Sequence, residues 1–216
     1  RERVRVGDLT QERLELAAYC GHEGARRATG RLGAPLSPDE LVVRLAALGK
    51  GPLILATRAA VAAALASPCS VSNCAACSRC RESLQAADNW LETASSEHEV
   101  AARQLATTLR DFAALGEPVC RDRARSTLEL LYGVSSGNDD WRVMHALKRS
   151  VPVRMVGTFQ EHAVVALRYA ERAAGDRAIA RFHEACSSLS LHPDTRGSER
   201  DANSRDRNQE PSSPSA

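Results

Sequence analysis

From Pro52 to Ala66 the chain carries a single charged residue, Arg58, in a run dominated by alanine and completed by Leu53, Ile54, Leu55, Thr57, Val61 and Leu65. Alanine and leucine at this density favour a helix, and a helix that is apolar on every side has to be surrounded by other elements. Arg58 interrupts the run before it reaches the length of a membrane span. The segment is therefore predicted to be the central, most buried helix. The remaining chain agrees with that reading. Runs of β-branched and aromatic residues are nearly absent, and aromatics make up only 4% of the chain, so the core is expected to be Ala, Leu and Val packed between close helices. The predicted fold class is all-α, an irregular bundle of about nine or ten helices.

Helix boundaries can be placed by their capping chemistry. Asp8 or Thr10 can start a first helix that stops at Gly21, and His22 to Thr29 forms a short second one ending at Gly30. Ser37-Pro38-Asp39-Glu40 combines a capping serine, a proline at the first helical position and a reciprocal glutamate, opening a helix to Leu48. Gly49-Lys50-Gly51 is expected to be a helix-ending turn, and Ser67-Pro68 ends the central helix. Leu84, Ala87, Leu91 and Ala94 recur at helical spacing, and Ser96 with Glu99 offers a capping box for a helix carrying Leu105, Leu109 and Phe112, so the two should form an antiparallel hairpin. Pro118 opens the next helix, which a turn-rich break from Gly133 to Asn138 separates from another over Asp139 to Arg149. Thr158 and Glu161 cap a further helix, and Gly175-Asp176 leads into a last one bearing Ile179, Phe182, Cys186 and Leu189.

Residues 1–192 are read as one helical domain, a size that a single core can serve. From 193 to 216, Arg, Asp, Ser, Asn and Pro replace the apolar residues, and a disordered polar tail is expected. The formal charge of +2, with arginines and acids interleaved, marks no track for specific nucleic-acid binding. Seven cysteines in 216 residues are too sparse for a disulfide scaffold, so the expected setting is a reducing cytoplasm without membrane attachment.

Four of those cysteines, Cys69, Cys74, Cys77 and Cys80, share twelve residues in the spacing C-x4-C-x2-C-x2-C. Soft thiolates suit zinc or an iron-sulfur cluster, and the last three resemble the opening of a ferredoxin ligand run, for which Cys69 or the distant Cys120 can supply a fourth ligand. Structural zinc sites more often bring two C-x2-C pairs from separate segments. Cys77 and Cys80 also continue the apolar face of Leu84, Ala87, Leu91 and Ala94 backward, so they can equally be buried packing thiols. If Cys74, Cys77 and Cys80 were all helical they would fan over roughly 120° of the cylinder, a poor cage for one ion. A redox disulfide is the third possibility. Cys20, Cys120 and Cys186 fall within helices and are expected to be packing residues.

Other chemistry is thin. His22, His98, His162 and His183 each have a glutamate beside them in sequence, but adjacent residues on a helix point in different directions. Neither H-E-x-x-H nor the Glu-x-x-His spacing of di-iron bundles occurs, and no glycine-rich phosphate loop is present. No catalytic residue is expected, and the chain is not predicted to be an enzyme. Trp90 falls off the main stripe of its helix and can be either a packed side chain or an interface anchor.

Arg81-Glu82-Ser83-Leu84-Gln85-Ala86-Ala87-Asp88-Asn89-Trp90-Leu91, following an alanine-rich helix, together with Asp8 to Ala28, resembles a pattern in alanine-rich helical bacterial proteins labelled as immunity proteins. That resemblance implies a protein that binds and blocks a protein partner without a reaction or cofactor of its own, and it transfers no functional residue. The expected function is a non-enzymatic helical interaction module of immunity or regulatory type. The alternative is a metal or redox sensor built on Cys69, Cys74, Cys77 and Cys80, with zinc or an iron-sulfur cluster as cofactor.

Overall fold

A computed structural model describes residues 2–31, 33–69, 74–136 and 158–191, and these contain ten α-helices and no strand. The helices are α1 (Glu2–Arg5), α2 (Gln11–Tyr19), α3 (Glu23–Thr29), α4 (Pro38–Ala46), α5 (Lys50–Ala66), α6 (Ala75–Thr93), α7 (Ser96–Leu115), α8 (Pro118–Ser135), α9 (Phe159–Ala174) and α10 (Asp176–Leu191). The all-α architecture is as expected. The helix expected over Asp139 to Arg149 and the polar tail from 193 to 216 lie outside the described residues.

Helix α5 is central because its apolar surface serves two cores at once. Ile54, Val61 and Leu65 enter a cluster with Cys80, Leu84, Ala87 and Trp90 of α6, Ala106 and Leu109 of α7, and Leu130 and Leu131 of α8. Leu53, Ala56, Ala60 and Ala64 face a second cluster with Leu41 and Leu45 of α4, Leu167 and Ala170 of α9, and Phe182 and Cys186 of α10. Alanine on both faces lets neighbouring backbones approach closely, so one helix can be packed by several others. Beyond Lys50 at its start, its one charge is Arg58, which pairs with Asp88 of α6 at 2.7 Å.

The capping chemistry largely sets the helix starts. Thr10, not Asp8, caps α2, its side chain accepting from the Arg13 amide. Ser37 with Glu40 and Thr158 with Glu161 both form complete capping boxes. His22 caps α3 through Nδ1, which accepts from the Ala25 amide at 3.1 Å.

At α7 the cap moves one residue earlier than expected. Ser95 accepts from the His98 amide, and Glu99 instead turns inward to Lys50 Nζ at 3.0 Å and Trp90 Nε1 at 3.3 Å. Trp90 is accordingly a packed residue, 5% exposed. Lys50 begins α5, and its ammonium also donates to the carbonyls of Val134 and Ser136 while lying 4.6 Å from the Trp90 ring centre. The glycine-flanked lysine thus joins the first turn of α5 to the end of α8.

The break expected at Gly133 is corrected too. Helix α8 runs through it to Ser135, and Gly133 is buried where a β-carbon would stand 3.1 Å from Ile54 Cδ1 and 3.7 Å from His162 Cβ. Glycine here permits close contact of α8 with α5 and α9, and the helix is held by that packing despite glycine's weak helical preference.

Candidate metal centre

Three chain segments meet at one end of the α5–α6–α8 packing. The first is the stretch after α5, where Ser67 in extended conformation ends the helix and Pro68 prevents its resumption before Cys69. The second is the start of α6, with Cys74 as the residue before the first helical turn and Cys77 inside that turn. The third is the start of α8, where Pro118 occupies the first helical position and Cys120 follows two residues later.

The sulfurs of Cys69, Cys74, Cys77 and Cys120 all lie within 4.8 Å of one another. Cys120 Sγ is 3.4 Å from Cys69 Sγ, 3.6 Å from Cys74 Sγ and 3.9 Å from Cys77 Sγ. Cys77 and Cys120 are buried, whereas Cys69 and Cys74 are half-buried. Ala76 and Phe112 complete the apolar surround.

The sequence-based quartet and the structural one therefore differ by a single member. Cys80 is absent from the cluster and lies fully buried in the α5–α6–α7–α8 core, where burial pushes its thiol up to about 11. The reason is helical geometry: three residues beyond Cys77, Cys80 is rotated by about 60° and displaced by about 4.5 Å along the axis. Cys120, expected to be a packing residue or at most a substitute ligand, takes the fourth place from α8. Cys20 and Cys186 are buried in the cores away from this end, as expected, and burial pushes the Cys186 thiol upward, with the Cys20 thiol adding to the rise.

The donor set has definite chemistry. Tetrahedral zinc with metal–sulfur bonds of about 2.3 Å requires sulfur–sulfur separations of about 3.8 Å, which the three distances to Cys120 bracket. A polynuclear iron-sulfur cluster distributes its thiolates over different irons and needs them farther apart, so four sulfurs this close suit one ion.

The electrostatics run the same way. Neither α6 nor α8 has a side-chain cap at its start, and Cys77 and Cys120 sit in those first turns, at the positive ends of two helix dipoles. The Arg123 guanidinium, 1% exposed and one turn into α8, donates to Cys77 Sγ at 3.4 Å. It also donates to the carbonyls of Ser67 at 2.9 Å and Pro68 at 3.1 Å, which holds the segment leading to Cys69. Burial pushes the Cys77 and Cys120 thiols above the usual thiol value and the neighbouring sulfurs push further, while Arg123 pulls Cys77 back, so burial opposes the thiolate form that the arginine favours.

None of the four described histidines joins such a set. His22 caps α3, His98 bonds to Thr93 and Ser95, and burial lowers the pKa of His183. His162 Nδ1 lies 2.7 Å from Glu129 Oε2, a partner 33 residues away that neighbour-by-neighbour reading of the sequence does not reveal. The adjacent glutamates serve other groups: Glu161 caps α9 and Glu184 pairs with Arg181. Among the described residues no helix is long and apolar enough to cross a membrane. Compared with known protein families, curated proteins and solved structures, the chain matches none.

Proposed function

We propose that Cys69, Cys74, Cys77 and Cys120 bind one metal ion as thiolates, zinc ahead of iron, and that this centre makes the packing of α5, α6 and α8 metal-dependent. The observation that carries the reading is the convergence of four sulfurs from three segments to within 4.8 Å, against a buried arginine. Metal binding resolves an energetic conflict. Four neutral thiols would leave the Arg123 charge buried without an anionic partner, whereas four thiolates around a dication carry a net charge of about −2, which the guanidinium and two helix starts offset.

The centre is structural or regulatory in kind. Four protein thiolates fill a tetrahedral ion's coordination positions, whereas catalytic zinc keeps one open for water or substrate. A non-enzymatic role follows, and the cysteine-based reading moves ahead of the interaction module favoured by resemblance. The interaction reading keeps one specific support: Leu115, the last residue of α7, is 87% exposed, and Val119, next to Cys120 in the first turn of α8, is 48% exposed. A metal that holds this end of the bundle would also hold that apolar pair in place for a protein partner.

The test is elemental analysis and absorption spectroscopy on protein purified without air or chelator. The expected result is about one zinc per chain and a colourless protein, and exchange with cobalt(II) should produce the strong visible absorption of a tetrahedral thiolate site. Iron with visible colour would replace zinc with a single iron. Protein that is well folded, reduced and unable to take up either metal would return the cluster to buried packing thiols.

A further inference from the structure

The four sulfurs differ in access and in freedom to move. Cys120 is 4% exposed and fixed within the first turn of α8, whereas Cys69 is half-buried in the non-helical stretch beyond Pro68. Their sulfurs lie 3.4 Å apart. A disulfide needs about 2.05 Å between sulfurs, so one must move by roughly the length of a bond, and a residue outside any helix can do so without breaking helical hydrogen bonds.

We propose that the centre is a thiol-oxidation switch: a peroxide converts Cys69 and Cys120 to a disulfide and the metal is expelled. The inference rests on the metal-centre reading above. The Cys69 thiolate attacks one peroxide oxygen, breaking the O–O bond and giving a sulfenic acid, while the other oxygen leaves and is protonated to water. The Cys120 thiolate then attacks the Cys69 sulfur, forming the S–S bond and displacing hydroxide, which is protonated to a second water. Two thiolates lose two electrons, hydrogen peroxide gains them, and zinc keeps its oxidation state. Only Cys74 and Cys77 then remain as ligands, too few for a closed tetrahedral site.

The choice of pair has structural consequences. Cys74 and Cys77 belong to the start of one helix, so a bond between them would tie α6 only to itself. A Cys69–Cys120 bond joins positions 51 residues apart and locks the α5–α6 connection to α8. Release of the metal also removes the anionic group that faces Arg123, the residue that holds the Ser67 and Pro68 carbonyls. Oxidation should therefore rearrange residues 67–69 and 74–77 while leaving the distant core of α4, α9 and α10 in place.

Full-length protein loaded with zinc, freed of reductant and treated with hydrogen peroxide tests the switch. Zinc release is followed with a chromophoric chelator, and disulfides are mapped by mass spectrometry of unreduced peptides. The expected outcome is loss of the whole zinc complement together with a Cys69–Cys120 peptide, both reversed by dithiothreitol and added zinc. Cys80→Ala should behave like the parent, and Cys69→Ser, checked for helicity by circular dichroism, should lose the cross-link. Retention of zinc under peroxide, pairing of Cys74 with Cys77, or irreversible sulfinic acids would overturn the switch and leave the metal centre standing. Failure of the reduced protein to bind zinc at all would overturn both. If Cys69→Ser fails to fold, the disulfide map of the parent protein still decides between these outcomes.

Discussion

Arg123 is the residue on which the site's electrostatics turn. None of the ion pairs among the described residues involves it, although it is 1% exposed. Lys50, the other deeply buried cation, meets a carboxylate and two carbonyls and thereby shows what ordinary compensation looks like in this protein. Among the described residues Arg123 has two carbonyls and a sulfur, so under the metal-centre reading its compensating charge comes from thiolate. Arg123→Met keeps most of the packing volume and removes the charge. It should weaken zinc binding by about 10–100-fold in a chelator competition, the usual effect of removing a group that supports metal ligands from behind. Unchanged affinity would mean that the arginine serves only the α5–α6 connection.

At the scale of elements, helix starts with short local capping patterns are legible from sequence, and contacts between helices are not. Ser37 with Glu40 and Thr158 with Glu161 are settled within four residues, and both form as expected. Ser95 displaces Ser96 because Glu99, the reciprocal member of the expected box, is recruited by Lys50 and Trp90. Gly133 misleads for the same reason: a glycine that would locally suggest a break is held in a helix by neighbours from α5 and α9.

A double-mutant cycle can measure that contact. Gly133→Ala gains up to about 1 kcal/mol of helical preference but presses on Ile54 Cδ1, and Ile54→Val removes that atom at a cost of about 0.5–1.5 kcal/mol. Urea unfolding should show the pair to be more stable than the sum of the single changes by about 0.5 kcal/mol or more. Strict additivity would show that Ile54 can move aside freely.

For the molecule as a whole, two cores share α5, and the cysteine cluster lies at one end of only one of them. A ligand that binds only the folded state stabilises it by mass action, so stripping the metal should lower the unfolding midpoint. The loss should also be uneven. Amide hydrogen exchange is expected to rise first in residues 67–69, 74–80 and 118–124 and least in α4, α9 and α10, because local opening follows the contacts removed. Uniform loss of protection would show the two cores to be one cooperative unit, and no change would argue that the cluster binds nothing.

The sequence by itself determined the helical class, the central place of the apolar run from Pro52 to Ala66 and most helix starts, and it set the C-x4-C-x2-C-x2-C stretch apart as the candidate ligand segment. These depend on composition, periodicity and capping, all of which act within a few residues. Only the tertiary structure decided that Cys120 replaces Cys80, that Arg123 faces the sulfurs, and that His162 meets Glu129. Those choices join segments 33 to 51 residues apart. Helical rotation turns Cys80 into the core, while packing of α8 against α6 delivers Cys120 and Arg123 together. Spacing along the chain carries no record of that packing, because it arises from the fit of whole helix faces.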